Sequence, residues 1–290
     1  AIPARLAGCS DIIMCTPPGA DGTINPVILY TASVTGVTAI FKTGGAQAIA
    51  AMAYGTETIP SVDKIFGPGN QYVTMAKELV QLDGVPVDMP AGPSEVLVIA
   101  DSTSVPAFVA ADLLSQAEHG PDSQVILLTD NESVIRDVTA EIKRQTESLP
   151  RKDIIVRSLE KSRAILLPSV ADCIRFSNIY APEHLILAVA GAVSFAAKVT
   201  NAGSVFLGNY SCESSGDYAT GTNHTLPTNG AARNFSGVSV DSFMKKITFQ
   251  EVTPEGMIGL GPVVAIMAEA EKLGAHKNAV TIRLNSLKNV

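Results

Sequence analysis

The chain has no run of lysine or arginine anywhere, and its formal net charge is −7 over 290 residues. That argues against nucleic acid or an anionic membrane as the main partner, since both are gripped by clustered positive charge. Only four cysteines occur, Cys9, Cys15, Cys173 and Cys212, with no Cys-x-x-Cys spacing among them. At this size a disulfide framework is not expected; reduced thiols in a cytoplasmic protein are. No apolar run approaches the ~18 residues that a membrane-spanning helix needs, and no secretory signal is read at Ala1. Charged residues are few, 17% against 46% hydrophobic, so disorder is not expected and a sizeable core is. Repeats and low-complexity segments are missing as well. At ~100–200 residues per domain the length suits about two domains.

What is present is alternation. Short apolar runs at Val37–Phe41, Lys64–Phe66, Val96–Ala100, Val125–Thr129, Leu185–Val189 and Ser204–Leu207 read as strands. Between them, Ala46–Tyr54, Gln71–Gln81, Pro106–His119, Glu132–Glu147 and Val193–Val199 read as helices. Strands separated by single helices imply mostly parallel sheets and an α/β architecture. The rhythm stops at Gly208–Gly237, a Gly-, Ser-, Asn- and Thr-rich stretch too long for an ordinary connection, and loops of that length tend to be functional or disordered. A helical tail follows, Asp241–Leu273, closing on Ala275–Leu284. A domain boundary is expected in the proline-rich Met89–Pro93.

Two strand-to-helix turns carry glycines, TGGAQAIA (Thr43–Ala50) and FGPGNQYV (Phe66–Val73). Helix N-termini present unpaired N–H groups that can hold anions, but neither turn fits Gly-x-Gly-x-x-Gly or a P-loop. Their polar residues, Gln47 and Asn70, are the candidates for a ligand contact; steric need alone also explains the glycines. On helix Pro106–His119, residues Asp112, Ser115, Gln116 and His119 fall on one face. Solvent explains such a stripe, although two ligands at i, i+3 can also grip a metal from one helix. Glu183 and His184 are adjacent before an apolar strand and could titrate near neutral pH. Neighbours in an extended segment point to opposite sides, so a shared site needs irregular backbone there, which Pro182 favours. Asp217 and His224 lie in the long glycine-rich stretch, and His276 follows Glu271 across Gly274. Each of the four histidines thus lies near a carboxylate.

Eight segments in order then resemble one family: TGGAQAIA, KIFGPGN (Lys64–Asn70), DMPAGPSEVLVIAD (Asp88–Asp101), DLLSQAEHGPDSQVILLT (Asp112–Thr129), YAPEHLI (Tyr180–Ile186), AGSVFLG (Ala202–Gly208), SGDYATGTNHTLPT (Ser215–Thr228) and AHKNAVTIRLN (Ala275–Asn285). Together they are similar to histidinol dehydrogenases along essentially the whole chain. The resemblance implies oxidation of L-histidinol to L-histidine through the aldehyde, with two NAD⁺ reduced, at the end of histidine synthesis. It implies two incomplete Rossmann-like, aldehyde-dehydrogenase-like βα domains, 1–94 contacting NAD and 95–238 carrying the zinc and acid–base residues. A helical dimerisation segment, 239–290, completes the chain.

Carried over residue by residue, the resemblance makes Gln116, His119, Asp217 and His276 zinc ligands and Glu183 and His184 the acid–base pair. Ser94, His224 and Glu271 join His184 and the zinc ligands around substrate, and Gln47 and Asn70 meet NAD. It implies a homodimer in which His276 and Glu271 complete the partner's site. It also implies that the family's chain extends beyond Ala1 by roughly a third of its length, and that proline usually stands where this chain has Cys212. Cys212 is expected to soften the loop before Asp217. A zinc hydrolase using Glu183 on metal-bound water, and a silent nucleotide- or zinc-binding fragment, are the competing readings.

Overall fold

The computed structural model describes residues 1–89 and 92–288, and the chain divides into two units, Ala1–Met244 and Lys245–Val290. The first unit opens with α1 (Ile2–Leu6), β1 (Ile13–Cys15), α2 (Pro26–Thr35), β2 (Ala39–Phe41), α3 (Gly45–Tyr54) and α4 (Gln71–Leu82). Strands β1 and β2 pair in parallel, and α3 and α4 bury Ile49, Ala53 and Val80 around Ile65. The starts of α2 and α4 follow from local chemistry. Asn25 and Asn70 accept backbone N–H groups of the first turn, and Pro26 enters where its missing N–H costs nothing.

Strand β3 (Glu95–Ala100), α5 (Pro106–Ala117), β4 (Gln124–Thr129), α6 (Glu132–Thr146), α7 (Lys152–Glu160), β5 (Arg163–Leu166), α8 (Val170–Tyr180), β6 (His184–Ala188), α9 (Ala192–Ala196) and β7 (Ser204–Leu207) build the main sheet. Its strands are all parallel in the order β5-β4-β3-β6-β7. The chain winds outward from β3 to β5, then crosses back through α8 to lay β6 against β3. Val96, Val98 and Ala100 pack under Leu113, Val138 and Ile155 of α5, α6 and α7; Leu97 and Ile99 pack on Cys173 and Ile174 of α8. With both faces covered, β3 is buried throughout, the reason it reads as an unbroken apolar run.

After β7 comes α10 (Glu213–Tyr218) and two single 3-10 turns, Ala231–Arg233 and Val240–Phe243. The second unit contains α11 (Pro254–Ala270) and α12 (Gly274–Leu287). Here Gly261 lies against Leu284, and Lys277 pairs with Glu269 at 2.8 Å.

Several expectations need correction. The stretch Gly208–Gly237 is no structureless loop: α10 interrupts it, its first turn closed by Ser215 donating to the Cys212 carbonyl. Cys212 is therefore the N-cap of a helix. The tail is not helical from Asp241 apart from the single 3-10 turn; regular helix begins only where Thr253 caps Pro254, after the stretch Ile247–Thr253, which is rich in β-branched residues. Lys64–Phe66 contributes only a bridge, Ile65 to Val87. Elements α1, β1, α2, α7, β5 and α8 were not anticipated. The boundary expected at Met89–Pro93 includes Pro90 and Ala91, which lie outside the described residues.

Candidate active site

The switch between β3 and β6 positions the chemistry. Because the strands are parallel and His184 opens β6 beside Val96, His184, Glu183, Ser94 and Glu95 all collect at the amino ends of these two strands. Helix α5 runs back antiparallel to the strands and delivers Gln116 and His119 to the same end. Together with Asp217 of α10 and His224, all of these but Glu95 line a cavity of about 200 Å³.

Glu183 and His184 share the site because the chain turns sharply before them. Ala181 ends α8 at φ 59°, a left-handed conformation rare for alanine. Beyond it, the Pro182 and Glu183 carbonyls accept from Gly203 and Ser204 at 2.9 Å each. Gly203 is there for space: a Cβ would sit 2.6 Å from the Glu183 carbonyl oxygen. The Glu183 carboxylate accepts from the Glu95 backbone N–H at 2.9 Å and lies 3.6 Å from His184 Nδ1. Behind it, Tyr180 donates to Glu95, whose other oxygen accepts from the Asn229 N–H.

His184 Nδ1 lies 3.3 Å from the Glu95 carbonyl oxygen, while Nε2 is buried without a hydrogen-bond partner, 3.8 Å from Asp217. In the neutral imidazole, an Nδ1–H can donate a hydrogen bond to that carbonyl, leaving the Nε2 lone pair toward the cavity. Burial alone would lower this imidazole, but Asp217, Glu183 and Glu213 push it up to about 10. Asp217 is in turn held below the usual carboxylate range, chiefly by His184.

The α5 stripe is dry in its middle and open at its end, where His119 is exposed. Gln116 is fully buried and Asp112 nearly so, and burial raises the Asp112 carboxyl to about 7. The reason is α10, which covers this face and adds a residue the sequence reading missed. Glu213 is 1% exposed, and desolvation together with Asp217, Glu183 and Asp112 pushes it up to about 8. Only its spacing from Asp217, four residues along what proves to be a helix, hinted at it.

His119, Glu213 and Asp217 bring ligand atoms within 4.8 Å of one another. A nitrogen and several oxygens beside crowded, partly desolvated carboxylates suit a divalent cation such as zinc.

Of the other candidates, Gln47 sits exposed in the first turn of α3. The Asn70 side-chain oxygen is committed to capping α4, accepting from Tyr72 and Val73 at 3.1 and 3.2 Å. Neither lines the cavity. Glu271, the C-cap of α11, and His276, in the first turn of α12, belong to the second unit and are exposed.

A family model described as histidinol dehydrogenase matches residues 1–284. The curated histidinol dehydrogenase of Bacteroides thetaiotaomicron is 59% identical over 288 residues, 99% of this chain and 67% of that protein. That of Pectobacterium atrosepticum is 54% identical over 288 residues, 99% of this chain and 64% of its own length. The crystal structure of histidinol dehydrogenase from Elizabethkingia anophelis matches with TM-score 0.98 and 63% identity, covering 99% of this chain and 66% of that one. An acetylating aldehyde dehydrogenase from Geobacillus thermoglucosidasius shares the fold alone, at TM-score 0.52 and 13% identity, over 84% of this chain and 70% of its own. The chain thus spans about two thirds of the length of its curated relatives.

Proposed function

Because the chain belongs to the histidinol dehydrogenase family, oxidoreductases of histidine biosynthesis, we propose that its cavity oxidises L-histidinol to L-histidine with NAD⁺. The observation that carries the reading is the Glu183–His184 pair. It places a carboxylate and a partnerless imidazole nitrogen at one buried cavity wall, beside a cluster of metal-binding type.

In this reading Gln116, His119, Asp217 and His276 hold a zinc ion, which when bound supplies a fixed contact for the substrate's imidazole and amine. His184 accepts the alcohol proton at Nε2 as hydride leaves for NAD⁺. Glu183, anchored by the Glu95 N–H, then activates the water that hydrates the aldehyde, and a second hydride leaves for a second NAD⁺. The aldehyde stays bound between the two oxidations, out of reach of side reactions. Ser94 and His224 contact the substrate from the cavity wall, and Glu271 does so in the partner's site.

Residues 1–94 hold the cofactor contacts Gln47 and Asn70, and 95–238 the zinc and acid–base residues. Segment 239–290 carries His276 and Glu271 into the partner of a homodimer, which ties metal binding to assembly. The protein works in the cytoplasm, and no described helix is long and apolar enough to cross a membrane.

The test is direct: the chain, after metal analysis, is given L-histidinol and NAD⁺. Stoichiometric zinc and histidinol-dependent NADH are expected. Zinc without NADH points to a hydrolase or a silent fragment, and absence of both rejects the site.

A further inference from the structure

Glutamine is a weak ligand for zinc, a neutral amide whose oxygen must be aimed at the ion to contribute. Gln116 is fully buried, and its amide lies against the Glu213 carboxylate. If the amide oxygen faced that carboxylate, two acceptors would oppose each other. With Nε2 there instead, the amide donates to Glu213 at 2.6 and 3.0 Å, one bond to each carboxylate oxygen. That choice fixes the other end of the amide: Oε1 turns away from Glu213.

We propose that Glu213 is a positioning residue, holding the Gln116 amide so that its oxygen faces the metal cavity. The inference rests on the zinc reading above. Among the described residues no lysine or arginine forms an ion pair with Glu213, so its carboxylate is not there to neutralise a cationic side chain. It occupies the first turn of α10, four residues before Asp217 on the same face. One helix therefore brings both a ligand and the clamp for a second ligand carried by α5.

The close approach of α10 is built in. A Cβ at Gly216 would stand 2.6 Å from the Phe206 ring of β7, so a larger residue there would push the ring or the helix aside. A carboxylate accepting from the amide also draws electron density toward Oε1, making it a better donor to a cation, as outer-shell partners do for metal-bound histidine. Glu213 lies near enough to His119 and Asp217 to be considered a ligand itself. Its two oxygens are already engaged by Gln116, which favours the positioning role.

Zinc affinity measured by chelator competition on the full chain separates the possibilities, using Glu213→Ala, Glu213→Gln, Gln116→Ala and the Glu213→Ala/Gln116→Ala double variant. Glu213→Ala should weaken zinc binding by about 10–100-fold. Added to Gln116→Ala, it should cost almost nothing more, since the clamp then has nothing to hold. Glu213→Gln, whose side-chain oxygen can still accept from Gln116, should retain most of the affinity and the wild-type visible spectrum of the cobalt-substituted protein.

Equal losses from Glu213→Ala with and without Gln116 would overturn the inference, as would a cobalt spectrum altered by Glu213→Gln, which marks a direct ligand. Should Glu213→Ala fail to fold, Glu213→Gln alone decides. A wild-type chain that retains no zinc, or whose affinity ignores His119→Asn, overturns the zinc reading itself and the inference with it.

Discussion

Replacing Gly203 by alanine tests whether the backbone corner before β6 sets the catalytic geometry. The new Cβ would stand 2.6 Å from the Glu183 carbonyl oxygen and 3.2 Å from Leu226 Cβ. Comfortable heavy-atom separations are about 3.5 Å, so the two segments must part by nearly 1 Å. The bonds from Gly203 and Ser204 to the Pro182 and Glu183 carbonyls, both 2.9 Å, would stretch as they do. Overpacking of this kind costs about 1–3 kcal/mol. At about 2–4 °C per kcal/mol for a chain of this size, a fall in Tm of about 2–12 °C is expected. Because Glu183 and His184 follow directly, a displacement approaching 1 Å should also lower kcat on histidinol by about 10–100-fold. Differential scanning calorimetry and histidinol-dependent NADH formation give the two readouts. A Tm within ~1 °C of wild type together with an undiminished rate would refute the claim that this corner is space-limited.

Three further outcomes are expected. Glu183→Gln keeps an oxygen for the Glu95 N–H but loses the base, so oxidation of added histidinal should fall by about 10²–10⁴-fold and the first oxidation much less, whereas His184→Asn should impair both; equal losses for the Glu183 variant would contradict the division of labour. A His276→Asn chain mixed with a Glu183→Gln chain should regain partial activity if sites are shared across a dimer, and verified mixed dimers without recovery would count against it. In metal-free protein Glu213 is raised from 4.5 to about 8 and His184 from 6.5 to about 10. The folded state then keeps protons that the unfolded state releases, Glu213 between about pH 4.5 and 8 and His184 between about 6.5 and 10, so stability should fall as pH rises through that range, by at most about 1.4 kcal/mol per pH unit per proton. Thermal melts of chelator-treated protein that stay flat or rise across that window would contradict the crowding of carboxylates.

Much of the fold is legible because its signals are local. Pro106, Asn131 and Ser169 begin helices for reasons confined to their own first turns. A strand covered on both faces must be apolar throughout, which exposes β3 and β4. The edge strand β5, reading RAIL and largely exposed, offers no such run and so gives no local strand signal. Helix α10 hid for a different reason. Its sequence ESSGDY has a poor helix former in glycine, and only docking against Phe206 makes that glycine an advantage.

The candidate site divides along the same line. By itself the sequence determined that Gln116 and His119 share a helix face and that Glu183 and His184 adjoin, because spacing within one element follows from helix and strand geometry. It also carried the motifs that identify the family. Only the tertiary structure decided that Asp112 and Gln116 on the α5 face are buried and that Asp217 reaches it from a helix. The tertiary structure also placed an unanticipated carboxylate, Glu213, against the Gln116 amide. Those facts depend on which segments meet across a parallel sheet, here residues about a hundred apart in the chain. No local periodicity encodes such a meeting; it is set by the packing of α10 and α5 at the amino ends of β3 and β6.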